Sequence, residues 1–451
     1  MASTYLSRTF SASPTSDKII TFSLWFKRSG LGEQHIFGNR ASDNSRSHLY
    51  FDANDRFNIL GKKTDGSGNN SIDITTTKKF RDTNGFYNLV VAIDTTQATT
   101  ANRVKLYVNG VLETSLAQEV NPSQNDVLQL NKDLAHEIGS YDGSNYYFDG
   151  YMSHIHFIDG TQYAASAFGE TDSNGVWKIK TSPSVTYGNH GFFILKDGNS
   201  VTDQSGNSNN WAVTAGTLTD DKDNPSNVFC TMNPLDNYFA SSTFSNGNNT
   251  IVTNNSNYTW NTGTLGMTSG KFYWEVKYAA NSNTEYYNLV GIADRPTDDI
   301  HDPLGRQTDC SNYGYYANSG GVYAKSTSAT TFGNSWTVGD IIGVAVDLDN
   351  NKLYFSKNGT WQNSGVPTSG STGTGAISID AISSTTTGVY FPASGDWGSS
   401  QYVTNQHNFG NGRFGTTAVS SAGTNASGNG VFEYDVPTGY TALCTKGLNG
   451  E

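Results

Sequence analysis

The chain has 451 residues and a formal net charge of −12, with 48 glycines, 12% aromatic residues and 15% charged residues. That length exceeds one ordinary domain and predicts two or three, of which a hairpin occurring twice favours two, and the acidic balance, with no basic stripe to neutralise a phosphate backbone, excludes nucleic acid as a partner class. No stretch reaches the roughly 20 apolar residues of a membrane span, and Met1 to Ser13 lacks the charged start and apolar run of a secretory signal, so no membrane insertion or export by that route is expected.

Read from the amino terminus, the first clear element is KIITFSLWFKR at Lys18 to Arg28, where Ile20, Phe22, Leu24 and Phe26 share one face and Thr21, Ser23, Trp25 and Lys27 the other. Further strands are predicted at His35 to Phe37, His48 to Phe51, Phe57 to Leu60 and Ser71 to Thr75. Next comes NLVVAIDTTQATTANRVKLYVNGV at Asn88 to Val111, in which an alternating β-branched strand ends at an acidic turn, a second strand follows, and Asn-Gly closes the unit. Gln124 to Glu137 is the one stretch whose pattern admits a short helix. A strand follows in Tyr146 to Asp159, and Gly175 to Leu235 reads as the tail of the same unit.

Residues 236 to 259 are Asn, Ser, Thr and Gly with few apolar anchors, the composition of a linker or exposed loop. The expected division is therefore 1–235, a linker at 236–259, and 260–451. The second unit begins in GKFYWEVKY at Gly270 to Tyr278 and continues in NLVGIA at Asn288 to Ala293. At Gly339 to Trp361, GDIIGVAVDLDNNKLYFSKNGTW repeats the earlier hairpin down to its Lys-Leu-Tyr and Asn-Gly. Helix-period patterns are almost absent, so the chain reads as all-β: two antiparallel β-sandwiches in tandem.

In that order, SLWFKRSG, YNLVVAID, VKLYVNG, HEIGSYDG and YYFDGYMSHIHFIDG resemble the laminin G-like, concanavalin A-like jelly roll. The strings that follow, DQSGNSNNW and DNPSNVFCTMNPL, look like those that close this jelly roll in bacteriophage virion proteins, where a SPRY domain often comes next. GKFYWEV, VGIA, the second hairpin, VYFPAS and HNFGNGRF resemble the SPRY domain, with VFEYDVPTGYTALCTKGL at Val431 to Leu448 as its carboxyl-terminal strand. SPRY is itself a concanavalin A-like sandwich, which accounts for the hairpin occurring twice.

The three cysteines, Cys230, Cys310 and Cys444, cannot all pair within one chain and are read as small buried thiols in a protein folded in a reducing cytoplasm. Cys230 and Cys444 sit in similar strings, each expected to close one domain as an edge strand. Three chemistries compete for the polar residues. A jelly roll of the glucanase kind carries Glu-x-Asp-x-x-Glu on one strand; the nearest string, Glu433 to Thr438, has threonine at the last position and lies at the wrong end, so no catalytic residue is assigned. His154 and His156 stand two apart on one strand, where they could meet at a trimer axis around a metal, but the favoured reading puts both on the face opposite Tyr151, Ile155 and Phe157, which face the core. Asp94, Asp142, Asp149 and Asp203 occupy turns; related sandwiches hold Ca²⁺ through Asp and backbone oxygens, so a structural calcium is one reading of them and turn formation the other.

Binding is the remaining class. Tyr and Trp platforms beside amides and carboxylates suit the apolar C–H faces and dense hydroxyls of sugars. The candidates are Tyr141, Asn145, Tyr146 and Tyr147 in the first unit. In the second they are Tyr313, Tyr315, Tyr316 and Trp361, with Asp298, Asp299 and Arg306 on the long polar loop Asp294 to Asn312, where SPRY domains present a partner-binding surface. Alternation puts Tyr313 and Tyr315 on one face and Tyr316 on the other, so at least one of them packs inward. The resemblance implies a non-enzymatic virion protein of the tail or capsid surface, assembled in the host cytoplasm as a homo-oligomer among other virion proteins, acting as an adhesin for host-surface glycan or protein. A decoration protein with no host ligand is the alternative, and a glycan hydrolase ranks last.

Overall fold

A computed structural model describes residues 3–196, 198–236, 240–254, 258–295, 302–398 and 400–450. The alternation read from Lys18 to Arg28 becomes the strand Ile19–Arg28, and it shows how the first unit is layered. Ile20, Phe22, Leu24 and Phe26 are fully buried in one core between two antiparallel sheets. The larger sheet runs, in spatial order, Leu116–Val120, Asn70–Lys79, Arg56–Lys62, Ser45–Phe51, Gln34–Ser42, Ala135–Ile138, Tyr5–Thr9, Ala212–Ala215. The smaller runs Phe192–Ile194, Gly150–Asp159, Ile19–Arg28, Tyr87–Asp94, Val104–Val108, Val111–Leu112. Phe22 and Phe37 stack across the two layers with centroids 4.9 Å apart and planes 4° from parallel. Truncation of either ring to Ala would cost about 3–5 kcal/mol. The outer face of the smaller sheet is also covered: Val90 and Ile158 pack with Ala165 and Phe168, and Tyr163, Trp177 and Tyr187 lie against them. The larger sheet is left as the one whose outer face can carry function.

The second unit repeats the plan. One sheet holds Thr243–Ser245, Thr250–Val252, Val403–Asn408, Lys271–Asn281, Ile341–Asp347, Lys352–Lys357 and Thr360–Trp361, with Ile377–Ser378 paired to Lys352–Lys357 and Thr441–Ala442 parallel to Lys271–Asn281. Its partner sheet holds Trp260–Thr262, Phe391–Asp396, Asn288–Ala293, Asn312–Tyr316, Gly321–Ala324 and Thr330–Thr331. Trp274, Tyr278, Tyr315 and Trp336 fill the core. In both units the Asn-Gly turns have positive φ at both positions, 48° and 80° at Asn109 and Gly110 and 48° and 78° at Asn358 and Gly359. This is the backbone that a two-residue hairpin turn matched to strand twist requires.

Four expectations need correction. The compact units divide between Asp220 and Asn227, not at 235. Phe229, Cys230 and Met232 are buried in the second unit's cores, and the supposed linker supplies its strands Thr243–Ser245 and Thr250–Val252. Short polar strands at a sheet margin have linker composition, and the register of Thr250–Val252 with Val403–Asn408, with Thr243–Ser245 outside it, becomes visible only in three dimensions. Cys230 and Cys444 do not close separate domains: the Cys230 N–H bonds the Leu443 carbonyl at 2.9 Å and Phe229 bridges to Cys444, so both strings belong to one unit, with both thiols buried. Within Gln124 to Glu137 the helical element is the 3₁₀ turn Gln129–Asn131, followed by the start of the strand Ala135–Ile138, and the α-helix among the described residues is Thr445–Asn449. Tyr151 does not face the core. A bulge between Ser153 and His156, with φ +49° at His154, shifts the alternation, so Ile155 and Phe157 stay in the core while Tyr151 lies under the Lys27 ammonium at 4.9 Å.

Candidate functional site

On the larger sheet of the first unit, residues that alternate with the core positions Phe37, Leu49 and Phe51 point outward. His35 and Tyr50 are directly opposite in register and their rings stack at 4.7 Å, 10° from parallel. His48 meets His35 edge-on at 4.9 Å. It fits there because Gly38, its register partner, has no side chain: a Cβ at that position would collide with the Ser47 carbonyl and the His48 Nδ1.

The loop that follows Ala135–Ile138 brings Tyr141 and Tyr146 over the two imidazoles. Tyr141 lies 4.9 Å from His35 and 4.7 Å from His48, and Tyr146 lies 5.8 Å from His35 and 6.0 Å from Tyr141. Tyr146 is 47% exposed, with φ +50° holding it outward. Two guanidiniums flank the Tyr141 ring, Arg40 at 5.4 Å and Arg46 at 6.0 Å, and Arg46 donates to the Tyr141 hydroxyl at 2.7 Å. Asp43 accepts from both arginines, at 3.0 and 3.3 Å, while Asp142 and Glu33 stand at the margin, 4.0 Å from Arg40 and 3.6 Å from His35.

Burial holds the His35 imidazole down at about 3 against the pull of Asp142, and burial, reinforced by His35, Arg46 and Arg40, holds His48 at about 2. Both are neutral at ordinary pH, each with one donor and one acceptor. Four buried polar atoms here have no partner: His35 Nδ1, both ring nitrogens of His48 and Arg46 Nε. Such a concentration is uncommon, and it lies beneath the tyrosine rings as the floor of this face. Burial pushes the Tyr50 phenol up to about 12, so it too stays neutral.

Of the other candidates in this unit, Asn145 is exposed and bonds Asp142 and Ser144, and Tyr147 donates to the Gly143 carbonyl at 2.7 Å with its ring on Tyr5. Both shape the loop that carries Tyr141 and Tyr146. His35, His48, Tyr50, Arg40 and Arg46 were not anticipated; the outward alternation of aromatic and basic residues on two neighbouring strands was the signal available.

The second unit has a smaller aromatic face outside its core. Tyr316 and Tyr287 stack at 6.4 Å, 2° from parallel, Trp397 donates to the Tyr323 hydroxyl at 2.9 Å, and Arg306 lies 4.7 Å over Trp397 while pairing with Asp302 at 3.4 Å. Arg306 is thus placed at this face, whereas Tyr313 and Tyr315, at 3% and 0% exposure, are core residues unable to touch a ligand, because alternation turns them inward. Trp361 packs half-buried beside Tyr273 and Tyr354. Asp298 and Asp299 lie outside the described residues.

The proposed calcium carboxylates do not converge. Asp94 accepts from Thr96 and Gln97, Asp142 from Ser144, and the buried Asp203 from the Phe193, Ser205 and Asn209 N–H groups. Asp149 is half-buried, its carboxyl pushed up by burial, and its backbone carbonyl accepts from Ser29. Each of the first three is committed to its own turn, and among the described residues no group of three His, Cys, Asp or Glu side chains could hold a metal. His154 bonds Ser153, while His156 bonds the Tyr187 hydroxyl and stacks on Phe193 at 3.9 Å, so both are buried structural residues. Glu433 accepts from Ser420 and Asp435 from Thr424, which ties both to their loop. Ser394 and His407 are hydrogen-bonded at 2.8 Å, but each is 1% exposed and closed to a substrate.

A family model of the concanavalin A-like lectin/glucanases superfamily matches residues 3–167, and one of the SPRY domain matches residues 271–377. The chain therefore contains both domains, two folds of binding type. Ran-binding protein 9 of Danio rerio is 30% identical over 90 residues, 20% of this chain and 14% of that protein. Ran-binding protein 9 of Homo sapiens is 30% identical over 90 residues, covering 20% and 12%. The chain thus matches only about a seventh of the length of these relatives. Among solved structures, the SPRY domain of human HERC1 is similar at 18% identity over 39% of this chain and 96% of that one, with a TM-score of 0.31. Stonustoxin is similar at 16% identity over 40% and 27%, with a TM-score of 0.28.

Proposed function

We propose that the chain is a non-enzymatic binding protein that recognises glycan through the outer face of its concanavalin A-like domain. The observation that carries this is the exposed Tyr146 ring beside the partly exposed Arg40 and Arg46 guanidiniums and the exposed Asp43. Ring faces accept the C–H face of a sugar, and the Arg40 and Arg46 guanidiniums with the Asp43 and Asp142 carboxylates at its edge donate to or accept from hydroxyls. Nothing at this face pairs a nucleophile with a base, and the hydrogen-bonded Ser394–His407 pair elsewhere is sealed. The resemblance of the closing strings of the jelly roll to bacteriophage virion proteins supports a place on the tail or capsid surface, with host-cell glycan as ligand. The aromatic face around Trp397 and Arg306 in the SPRY domain is then available for a protein partner, a neighbouring virion protein in this reading.

The test is retention of purified chain on a glycan array and on labelled host cells, beside adsorption of particles lacking it. Binding to at least one glycan and impaired adsorption support the reading. A chain that retains no glycan, with particles that adsorb normally without it, overturns it in favour of a decoration protein.

A further inference from the structure

Resting on the glycan-binding reading, we infer that the sugar bound at this face is acidic, its carboxylate seated between Arg40 and Arg46 in the place now held by Asp43. The two guanidiniums converge on one tyrosine ring from strands joined by the turn that carries Asp43. Asp43 bridges them at 3.0 and 3.3 Å although its side chain is 75% exposed. An exposed carboxylate on a turn is held by little besides those two contacts, because the Coulomb gain is small in water and the side chain loses rotamer freedom. It is therefore a displaceable stand-in for a carboxylate brought from outside. Arg40 hydrogen-bonds to Asp43 and its charge holds that carboxyl below the usual range, so the stand-in is ionised.

What lies behind the pair distinguishes a sugar from a simple anion. Arg46 Nε is buried without a partner, as are Nδ1 of His35 and both nitrogens of His48, which is 1% exposed. The Arg40 and Arg46 side chains are 34% and 25% exposed, so the terminal nitrogens that now hold Asp43 can take a carboxylate from outside. The imidazoles, at 3% and 1% exposure, lie beneath the tyrosine rings and form the floor of the face without touching the ligand. Tyr146 and Tyr50 supply apolar faces for its C–H groups. A peptide carboxylate would use the arginines but leave the tyrosine faces unmatched. Asp142 and Glu33 also face the site, at 4.0 Å from Arg40 and 3.6 Å from His35, and they oppose dense polyanions, so one carboxylate per contact is favoured over a heavily sulfated chain.

The experiment measures binding of the full chain to oligogalacturonate and to its methyl ester, which keeps the sugar backbone and removes the charge. The inference predicts about tenfold or tighter binding of the acid, lost on raising salt, while the ester is insensitive. Asp43→Asn should tighten the acid several-fold, and the double variant R40Q/R46Q should bring acid and ester to equal, weak affinity. Since Arg46 also bonds Tyr141, the Asp43→Asn result is the arm that does not depend on an intact Tyr141 contact. Equal affinity for acid and ester, no gain in Asp43→Asn, or equal competition by poly-glutamate or by a sulfated oligosaccharide would each overturn the inference. If neutral glycans bind and the acid shows no advantage, the glycan-binding reading survives alone; if no glycan binds, that reading fails with it.

Discussion

Acidification should separate the two units, because their buried titratable groups are of opposite kinds. In the first unit His35, His48 and His136 are at most 3% exposed and held at about 3, 2 and 4, chiefly by burial, against an ordinary value of 6.5. Their folded-state values are depressed, so the unfolded chain takes up protons first and the stability they allow is present above pH 6.5 and lost as pH falls below it. Between pH 7 and pH 5 each group contributes about 2 kcal/mol of destabilisation, about 6 kcal/mol together. That is comparable to the whole stability of a typical domain. His156 acts in the same sense and Asp149 against it.

In the second unit burial raises Glu275 to about 7 and Asp396 to about 8, so their contribution is full at low pH and is lost as pH rises through those values. Moving from pH 7 to pH 5 returns about 5 kcal/mol from this pair, less about 2 kcal/mol from the buried His407, held at about 4. Hydrogen exchange followed peptide by peptide along a denaturant series, at pH 7 and pH 5, reads the two units in one intact chain. The midpoint of peptides from 19–159 should fall steeply while that of peptides from 271–408 holds or rises. Midpoints that fall together would refute the reasoning.

Gly38→Ala should destabilise the first unit by about 1–3 kcal/mol and abolish glycan retention, since the new methyl meets the Ser47 carbonyl and the His48 ring; thermal unfolding and array binding check the two effects. Glu275→Gln should flatten the alkaline loss of stability of the second unit. It should also loosen the 431–436 segment, because the Glu275 carboxylate accepts from the Glu433 and Tyr434 N–H groups at 2.9 and 2.8 Å and an amide supplies only one such oxygen. Exchange of that segment against pH is the readout.

Much of the architecture was legible because it depends on local periodicity. The inward face of Ile19–Arg28, the Asn-Gly turns at Asn109 and Asn358, and the split of Tyr313 and Tyr315 from Tyr316 all follow from a period of two and from φ preference. The site was half legible. Tyr141 and Tyr146 stood out as aromatic residues in a polar loop, but His35 and His48 come from strands about a hundred residues earlier, and only sheet order places Gln34–Ser42 beside Ala135–Ile138. The same limit hid the unit boundary. Thr250–Val252 looks like linker until Val403–Asn408 returns to pair with it. The bulge at His154 defeated the reading of Tyr151 because one extra residue reverses every side chain beyond it.

The central claim is that the outer face around Tyr146 holds a sugar. Its most direct test is the affinity of the full chain for its best array glycan, compared with Tyr146→Ala and Tyr50→Ala, each verified to unfold at the wild-type temperature. A ring stacked on a sugar contributes about 1 kcal/mol, so each variant should bind about fivefold more weakly, and both together should bind weaker still. Wild-type affinity in both variants would contradict the account.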